Sequence, residues 1–544
     1  MGERALRRVA VLAMVAVVAA ACTGDGDEGL VDEDTEPPVV EDEPEDEPAE
    51  RDSGEIIVGT TDAVTSLDPA AVHDYYSATV LANLGDTLVG FEPGATEATP
   101  RLAEAVDVSE DGLTYTVVLR EGVTFHDGSE LDSADVQFSL ERVLAIGHPD
   151  GAAFLLADVA EIAIPDERTV TITLVAPSAT FLDRLAYPVA TIVPSDGDYT
   201  APATEADTDA DVEAEGFVHE ELVATGPYRL VDVEEDEEIT LEAFDDYWGE
   251  APRNERVVLR FFPSSGDLAQ ALLEDEIDVA FRQLAPDHRA ELAEAGGIQA
   301  VEGVGSFIRY LVFNPLLAPV DDANVRRAVA AAIDRERLVD DVFAGRAEPL
   351  DSMVPSGFPA SADFFSQYQE QDPATFLEGV ETPVAVELHY AGEQYGPTEP
   401  ALAEAIQETL EDTGLFEVTV TSTEWEEFVG EAWPAQAGQY QMFLLGWYPD
   451  YFDPDGYLAP FYGSDGFLGV FANGEVDELL AQQHQASAEE RVPMLHRVQQ
   501  IGAHEVPIVP LLTETPTPFA RDDITGLEET VDLVGTLRFS LLER

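Results

Sequence analysis

The chain has 544 residues, 111 of them Asp or Glu and 26 basic, for a formal charge of -85, and every basic residue is Arg. A charge of that sign and size excludes nucleic acid as a partner, because phosphate backbones repel it. It also sets the compact state against its own repulsion unless salt screens it, the screening length falling to about 3 Å at 1 M; the acid excess without Lys points to a salty habitat more than to a task.

The first element in chain order is a positive start, Arg4, Arg7 and Arg8, followed by an unbroken apolar run over 9–21. Thirteen residues are too few to cross a hydrocarbon core of about 30 Å as a helix. The pattern is that of a secretory signal rather than a membrane anchor. Ala19, Ala20 and Ala21 stand directly before Cys22, the one cysteine of the chain. This arrangement resembles a bacterial lipobox, in which the cysteine carries diacylglycerol after cleavage. Ala19 departs from it, because lipoboxes usually have Leu there. An ordinary signal peptide with a chance cysteine is the other reading. A lone cysteine forms no internal disulfide in either case. Residues 22–52 are acid and proline without aromatics. Such a stretch buries too little apolar surface to offset chain entropy and is expected to be an extended tether. Residues 1–21 contribute +2 and 22–52 contribute -14, so the body beyond them still carries -73.

Roughly 490 residues remain, too many for one core, so two or three lobes are expected. EIIVGT at 55–60 reads as a buried strand broken by SLDPA at 66–70. A helix over 77–89 places Val80, Leu81, Leu84 and Leu88 on one face. LTYTVVLREGVTFHDG, 113–128, alternates, turns at Glu121–Gly122 and alternates again, which predicts a hairpin. Asp132 or Ser133 caps the next helix, with Val136, Leu140, Val143 and Leu144 inward. Strands are expected at 168–175, 224–233, 238–244 and 257–262, an acidic surface excursion at 195–216, and a helix at 267–275. A helix carrying Val325, Val329 and Ile333 spans 322–339; a strand at 384–390 precedes a helix at 400–414. Strand-then-helix alternation argues an α/β architecture.

No enzyme constellation is present: no G-x-S-x-G, H-E-x-x-H, phosphate loop or C-x-x-C. The Ca²⁺ loop pattern is missing as well, and His126-Asp127-Gly128 reads as a turn rather than a ligand pair. No cofactor or metal is expected.

The stretch PRLAEAVDVSEDGLTYTVVLREGVTFHDGSELDSADVQFSLER, 100–142, resembles the signature of the peptide/nickel group (family 5) of bacterial extracellular solute-binding proteins. Matches continue in the family's order: SLDPA at 66, ATGPYRL at 224, FDDYWGEAPR at 244, EDEIDVA at 274, FNP at 313, DDANVRRAVAAAIDRERL at 321, GWYPDYFDPDGYLAPF at 446, NGEVDELL at 473 and EVPIVPLL at 505. The resemblance implies a two-lobed type II periplasmic-binding-protein-like α/β fold with an extra inserted subdomain (cluster C type), delivering solute to the permease subunits of an ABC importer by hinge closure. It is similar to a non-enzyme binder that is monomeric and held to the membrane by its N-terminal lipid. Lobe I would comprise 53–91, 195–312 and 515–544, with the inserted subdomain at 92–194 and lobe II at 313–514, crossing near Asn314 and Thr515. In peptide binders of the family an aromatic, two residues, then Asp and Tyr line the ligand, the Asp pairing with the α-ammonium group. Trp447, Asp450 and Tyr451 fall on those positions, while Asp453 more simply shapes a turn. An extended stretch after SLDPA pairs with the ligand backbone, which implies His73, Asp74 and Tyr75. Oligosaccharide or metal-chelate binding, or a sensor lipoprotein without transport, are the alternatives the resemblance leaves open.

Overall fold

The computed structural model describes residues 54–544 apart from 94, 198–221, 235–236, 304, 393, 426, 429–437, 467, 470 and 531–535. The expected signal peptide (1–21), tether (22–52) and Cys22 lie outside the described residues, as does most of the excursion at 195–216. Among the described residues no helix is long and apolar enough to cross a membrane.

Two large sheets and a smaller one organise the body. The first has seven strands in the order Ile298–Ala300, Phe519–Arg521, Val279–Ala280, Glu55–Thr60, Arg256–Phe261, Glu238–Ala243 and Tyr228–Glu234. Glu55–Thr60 is central because its residues after Glu55 are all buried and it pairs in parallel on both sides; a continuous apolar run is what two covered faces require. Asp278 fixes its start by accepting the Ile57 amide at 2.8 Å. The second sheet has six strands, in the order Ala347–Pro349, Ile508–Glu514, Phe307–Phe313, Met442–Trp447, Val384–Tyr390 and Phe416–Ser422. The helix Glu399–Asp412 links its parallel pair, Val384–Tyr390 and Phe416–Ser422. The third sheet is antiparallel, in the order Ala103–Val108, Thr114–Leu119, Thr169–Leu174 and Val159–Asp166. It packs with Val136, Leu140 and Val143 of the helix Ser133–Ile146 into a core of its own.

SLDPA is more than a strand breaker. Asp68, wholly buried, takes a bidentate pair from Arg142 of the helix Ser133–Ile146 at 2.7 and 2.5 Å and caps the Ala70 amide at 2.8 Å. That pair ties the third sheet's subdomain to the segment leaving the first sheet. In ATGPYRL the strand starts at Tyr228 because Gly226 lies against the end of the helix Tyr75–Leu84. Its amide donates to the Leu84 carbonyl at 3.0 Å, and a Cβ there would sit 2.4 Å from Leu84 backbone carbon.

Four expectations need correction. Thr114–Leu119 pairs with Ala103–Val108 and Thr169–Leu174, so no hairpin joins it to 123–128. The second half of that stretch spends its backbone locally: Phe125 donates to Ser129, Leu131 to Val123, and Asp127 Oδ1 accepts from Ser129 at 2.8 Å, with Gly128 at φ +87°. The first helix is Tyr75–Leu84, not 77–89, because Asp74 caps it earlier and Gly85 leaves it extended, which puts Leu88 beyond it. The stretch 322–339 is two helices, Ala323–Ala332 and Arg335–Phe343; Asp334 interrupts by accepting the Arg337 amide at 3.1 Å and starting a new helix. The crossing expected near Asn314 also moves. Phe307–Phe313 already belongs to the second sheet, so the chain changes sheets between Ala300 and Phe307.

Candidate functional site

A cleft of about 1800 Å³ opens between the two large sheets, with the small sheet's subdomain along one side. One wall is the turn that follows the strand Met442–Trp447. Pro449 has no amide to donate and ends the ladder there, so Tyr448, Asp450 and Tyr451 leave the sheet in quick succession. Gly446 must lack a side chain: a Cβ there would lie 2.4 Å from the Phe307 ring and 2.8 Å from Tyr395. With that space free, Phe307 stacks on Tyr448 at 4.0 Å between centroids and 8° between planes.

Six of the expected contact residues divide into two groups. Trp447 borders the cleft and is oriented by a hydrogen bond from its Nε1 to the Gly456 carbonyl at 3.0 Å and by edge packing on Phe461. Asp450 also borders it, and its Oδ1 lies 3.0 Å from His73 Nε2. His73 is turned by Phe154 and Tyr187, both edge-on to its ring, and the Tyr187 hydroxyl donates to its carbonyl. His73 sits above its ordinary pKa. Burial opposes the charge, and the hydrogen bond and charge of Asp450, with Asp74 beside it, outweigh burial. Tyr75 packs on Tyr448 at 4.7 Å.

The other two also border the cleft, but their polar atoms are engaged within the framework. Both Asp74 oxygens accept within their own segment, from the Ser77 amide at 2.8 Å and the Thr65 hydroxyl at 2.6 Å. Tyr451 is 7% exposed, packs into the core of the small sheet's subdomain, and donates its hydroxyl to Asp455 at 3.2 Å. Asp453 shapes the turn as expected, accepting the Asp455 amide and a bidentate pair from Arg491 at 2.6 and 2.8 Å.

Sequence reading missed Arg282 and Tyr448. Arg282 follows the strand Val279–Ala280 of the first sheet in a left-handed turn, φ +73°. Its guanidinium lies 3.9 Å from the centre of Tyr75 and 4.9 Å from that of Tyr448, and it is neutralised by Asp62. Nothing in the letters marks a non-glycine left-handed turn, and Tyr448 lies one residue off the expected pattern.

The arrangement is a carboxylate, 10% exposed, at the wall of a cleft that aromatic rings also line. Such a group takes an organic ammonium by charge-assisted hydrogen bonds and gains from neighbouring ring faces.

The profile described as "Bacterial extracellular solute-binding proteins, family 5 Middle" matches residues 97–469. The chain belongs to this family. Family 5 proteins are extracytoplasmic binding proteins, not enzymes. Among the curated relatives, Di/tripeptide-binding protein 3 of Pseudomonas aeruginosa (strain UCBPP-PA14) is 29% identical over 473 residues, 81% of this chain and 85% of that protein. Two solved structures are similar. The ABC transporter-associated periplasmic binding protein DppA from Helicobacter pylori, in complex with peptide STSA, aligns with a TM-score of 0.76 at 24% identity, covering 90% of this chain and 98% of that one. The dipeptide binding protein from Pseudoalteromonas sp. SM9913, in complex with Met-Leu, aligns with a TM-score of 0.75 at 21% identity, covering 90% and 100%. The two-lobed α/β fold of family 5, expected from the sequence, is therefore the fold of this chain.

Proposed function

We propose that this family 5 protein captures peptides with a free amino terminus and delivers them to the permease subunits of an ABC importer. The observation that carries the reading is Asp450: a carboxylate held at the cleft wall beside Trp447, on a chain similar to di- and tripeptide binders. Lobe I comprises 53–91, 195 to about 306, and 515–544, with the insert at 92–194 and lobe II from about 307 to 514; the membership of the three sheets supports this division. The lobes close about two strand-ended crossings, one before Phe307 and one after Glu514. Closure removes water from the ligand, which strengthens the ammonium–carboxylate attraction. The protein acts as a monomer, tethered by lipid on Cys22.

The test is thermal unfolding in molar salt with trialanine and with N-acetyl-trialanine. Ligand at 100 times its Kd stabilises a fold by about 2.7 kcal/mol. Trialanine is expected to raise the midpoint and the acetylated peptide to leave it unchanged. Equal stabilisation by both removes Asp450 as the amino anchor, and a response to oligosaccharides alone removes peptides altogether.

A further inference from the structure

The partner of Asp450 is itself a cation in waiting. His73 leaves the SLDPA segment of one lobe and meets Asp450, 377 residues later, on the other. Among the described residues His73 is the hydrogen-bond partner recorded for the Asp450 side chain. The ring therefore lies where the proposed reading puts a ligand ammonium.

We propose that His73 is a built-in competitor for that ammonium: its imidazolium engages Asp450 across the empty cleft, and an arriving amino group displaces the charge, so that capture releases a proton and strengthens as pH rises. This rests on the reading of Asp450 as the amino anchor. The chemistry is simple. Two carboxylate oxygens offer enough lone pairs for both donors, so the neutral ring can stay in place. What the cleft does not tolerate is two cations side by side in a medium that screens poorly. The proton on His73 leaves to solvent, and the ligand stays charged.

The groups around His73 favour this cycle. Asp450 faces it from the opposite lobe and Asp74 adjoins it in the chain; both hold the proton when the cleft is empty. Tyr187, packed against the ring from the insert, is a neutral hydroxyl, its pKa driven well up by burial and by Asp450 and Asp74. Phe154 closes the remaining edge and carries no charge. Arg184 and Asp150 also border the cleft, but each has its own partner, Arg184 in Asp158 at 2.6 Å and Asp150 in His148 at 4.0 Å. Ligand binding thus opposes the imidazolium with one new cation, and linkage makes affinity rise with pH through the His73 pKa.

The experiment is an NMR titration of the His73 ring, identified by its loss in His73→Gln, in the wild type and in Asp450→Asn, each with and without trialanine. Calorimetry in two buffers of different ionisation enthalpy counts protons released. The expected result is a His73 pKa above 6.5 that falls in Asp450→Asn and falls in the wild type on adding trialanine. Affinity should rise up to tenfold per pH unit below that pKa and level off above it, and His73→Gln should bind without the slope. A His73 titration indifferent to Asp450→Asn overturns the pairing. Trialanine bound with no proton released and His73 unmoved overturns the displacement and leaves the peptide reading intact. No trialanine binding at any pH, with the Asp450-dependent pKa present, overturns the peptide reading and leaves the cross-cleft pair established.

Discussion

Two carboxylate–cation contacts start from one short piece of chain, and they are built for opposite purposes. Asp68 and Arg142 are 0% and 1% exposed and meet through two parallel hydrogen bonds. Asp450 and His73 are 10% and 33% exposed and meet through one. The first joins the insert to the lobe that carries it. The second spans the cleft, and one partner changes charge near neutral pH. A guanidinium fork in a dry site makes a permanent joint; an imidazole at a wetter boundary makes a contact that can be given up.

The sharpest way to break the comparison is to remove one partner from each pair. Asp68→Ala leaves a buried guanidinium without its counter-charge and is expected to cost about 3–5 kcal/mol, read by urea unfolding in molar salt. His73→Gln leaves Asp450, 10% exposed at the cleft wall, facing an amide in place of the ring, and should cost only about 1 kcal/mol. If both variants lose similar stability, the joint and the clasp are the same kind of contact. Replacing Asp68 and Arg142 together by Leu and Met sharpens the point, because well-packed apolar groups often match a buried ion pair.

Arg282 provides an intermediate case. It bridges the lobes through the faces of Tyr75 and Tyr448 but keeps a permanent counter-ion in Asp62. Tyr448→Leu removes one ring face from Arg282 and the Phe307 stack but leaves Asp62 on Arg282 and His73 on Asp450. Cation–π attraction of about 0.5–2 kcal/mol predicts trialanine binding weaker by about 2- to 30-fold, with a pH profile parallel to that of the wild type. A changed profile would mean that Tyr448, rather than His73, sets the response to pH.

Much of this was legible in the letters, for reasons that differ by element. EIIVGT announced a buried strand because burial on both faces demands a continuous apolar run. Asp132 announced a helix start through its own capping chemistry, and the capping box with Asp135 is formed. Trp447 and Asp450 were found through the resemblance of a nine-letter string, not through composition; in a chain with 111 acids no carboxylate stands out by itself. The failures are nonlocal. Whether VTFHDG pairs with the preceding strand depends on Thr169–Leu174 arriving from elsewhere to claim that edge. That Tyr451, at the cleft wall, also packs into a core depends on the third sheet's subdomain folding against it. The pairing of His73 with Asp450 joins residues 377 apart, and neither local string contains the other.

The smallest expected effect lies where insert and lobe II meet and charges repel. Asp183, on the insert helix Phe181–Leu185, faces Asp453, and its pKa is pushed up to about 7 by burial first and by Asp453 second, despite an amide from Ala98 and the nearby Arg491. An acid whose folded pKa is raised contributes stability that is present below its ordinary value of 3.8 and lost as pH rises through about 7. The wild type should therefore lose stability between those limits, and Asp183→Asn should lose less. General repulsion among so many carboxylates also grows over this range, so the quantity to read is the difference between the two urea midpoints, followed from pH 4 to pH 8 in molar salt. A difference that widens toward pH 7 and then holds places the proton on Asp183. A constant difference shows that Asp183 is ionised throughout, with Arg491 serving both acids, and the insert would then meet lobe II through a second permanent joint of the Asp68–Arg142 kind.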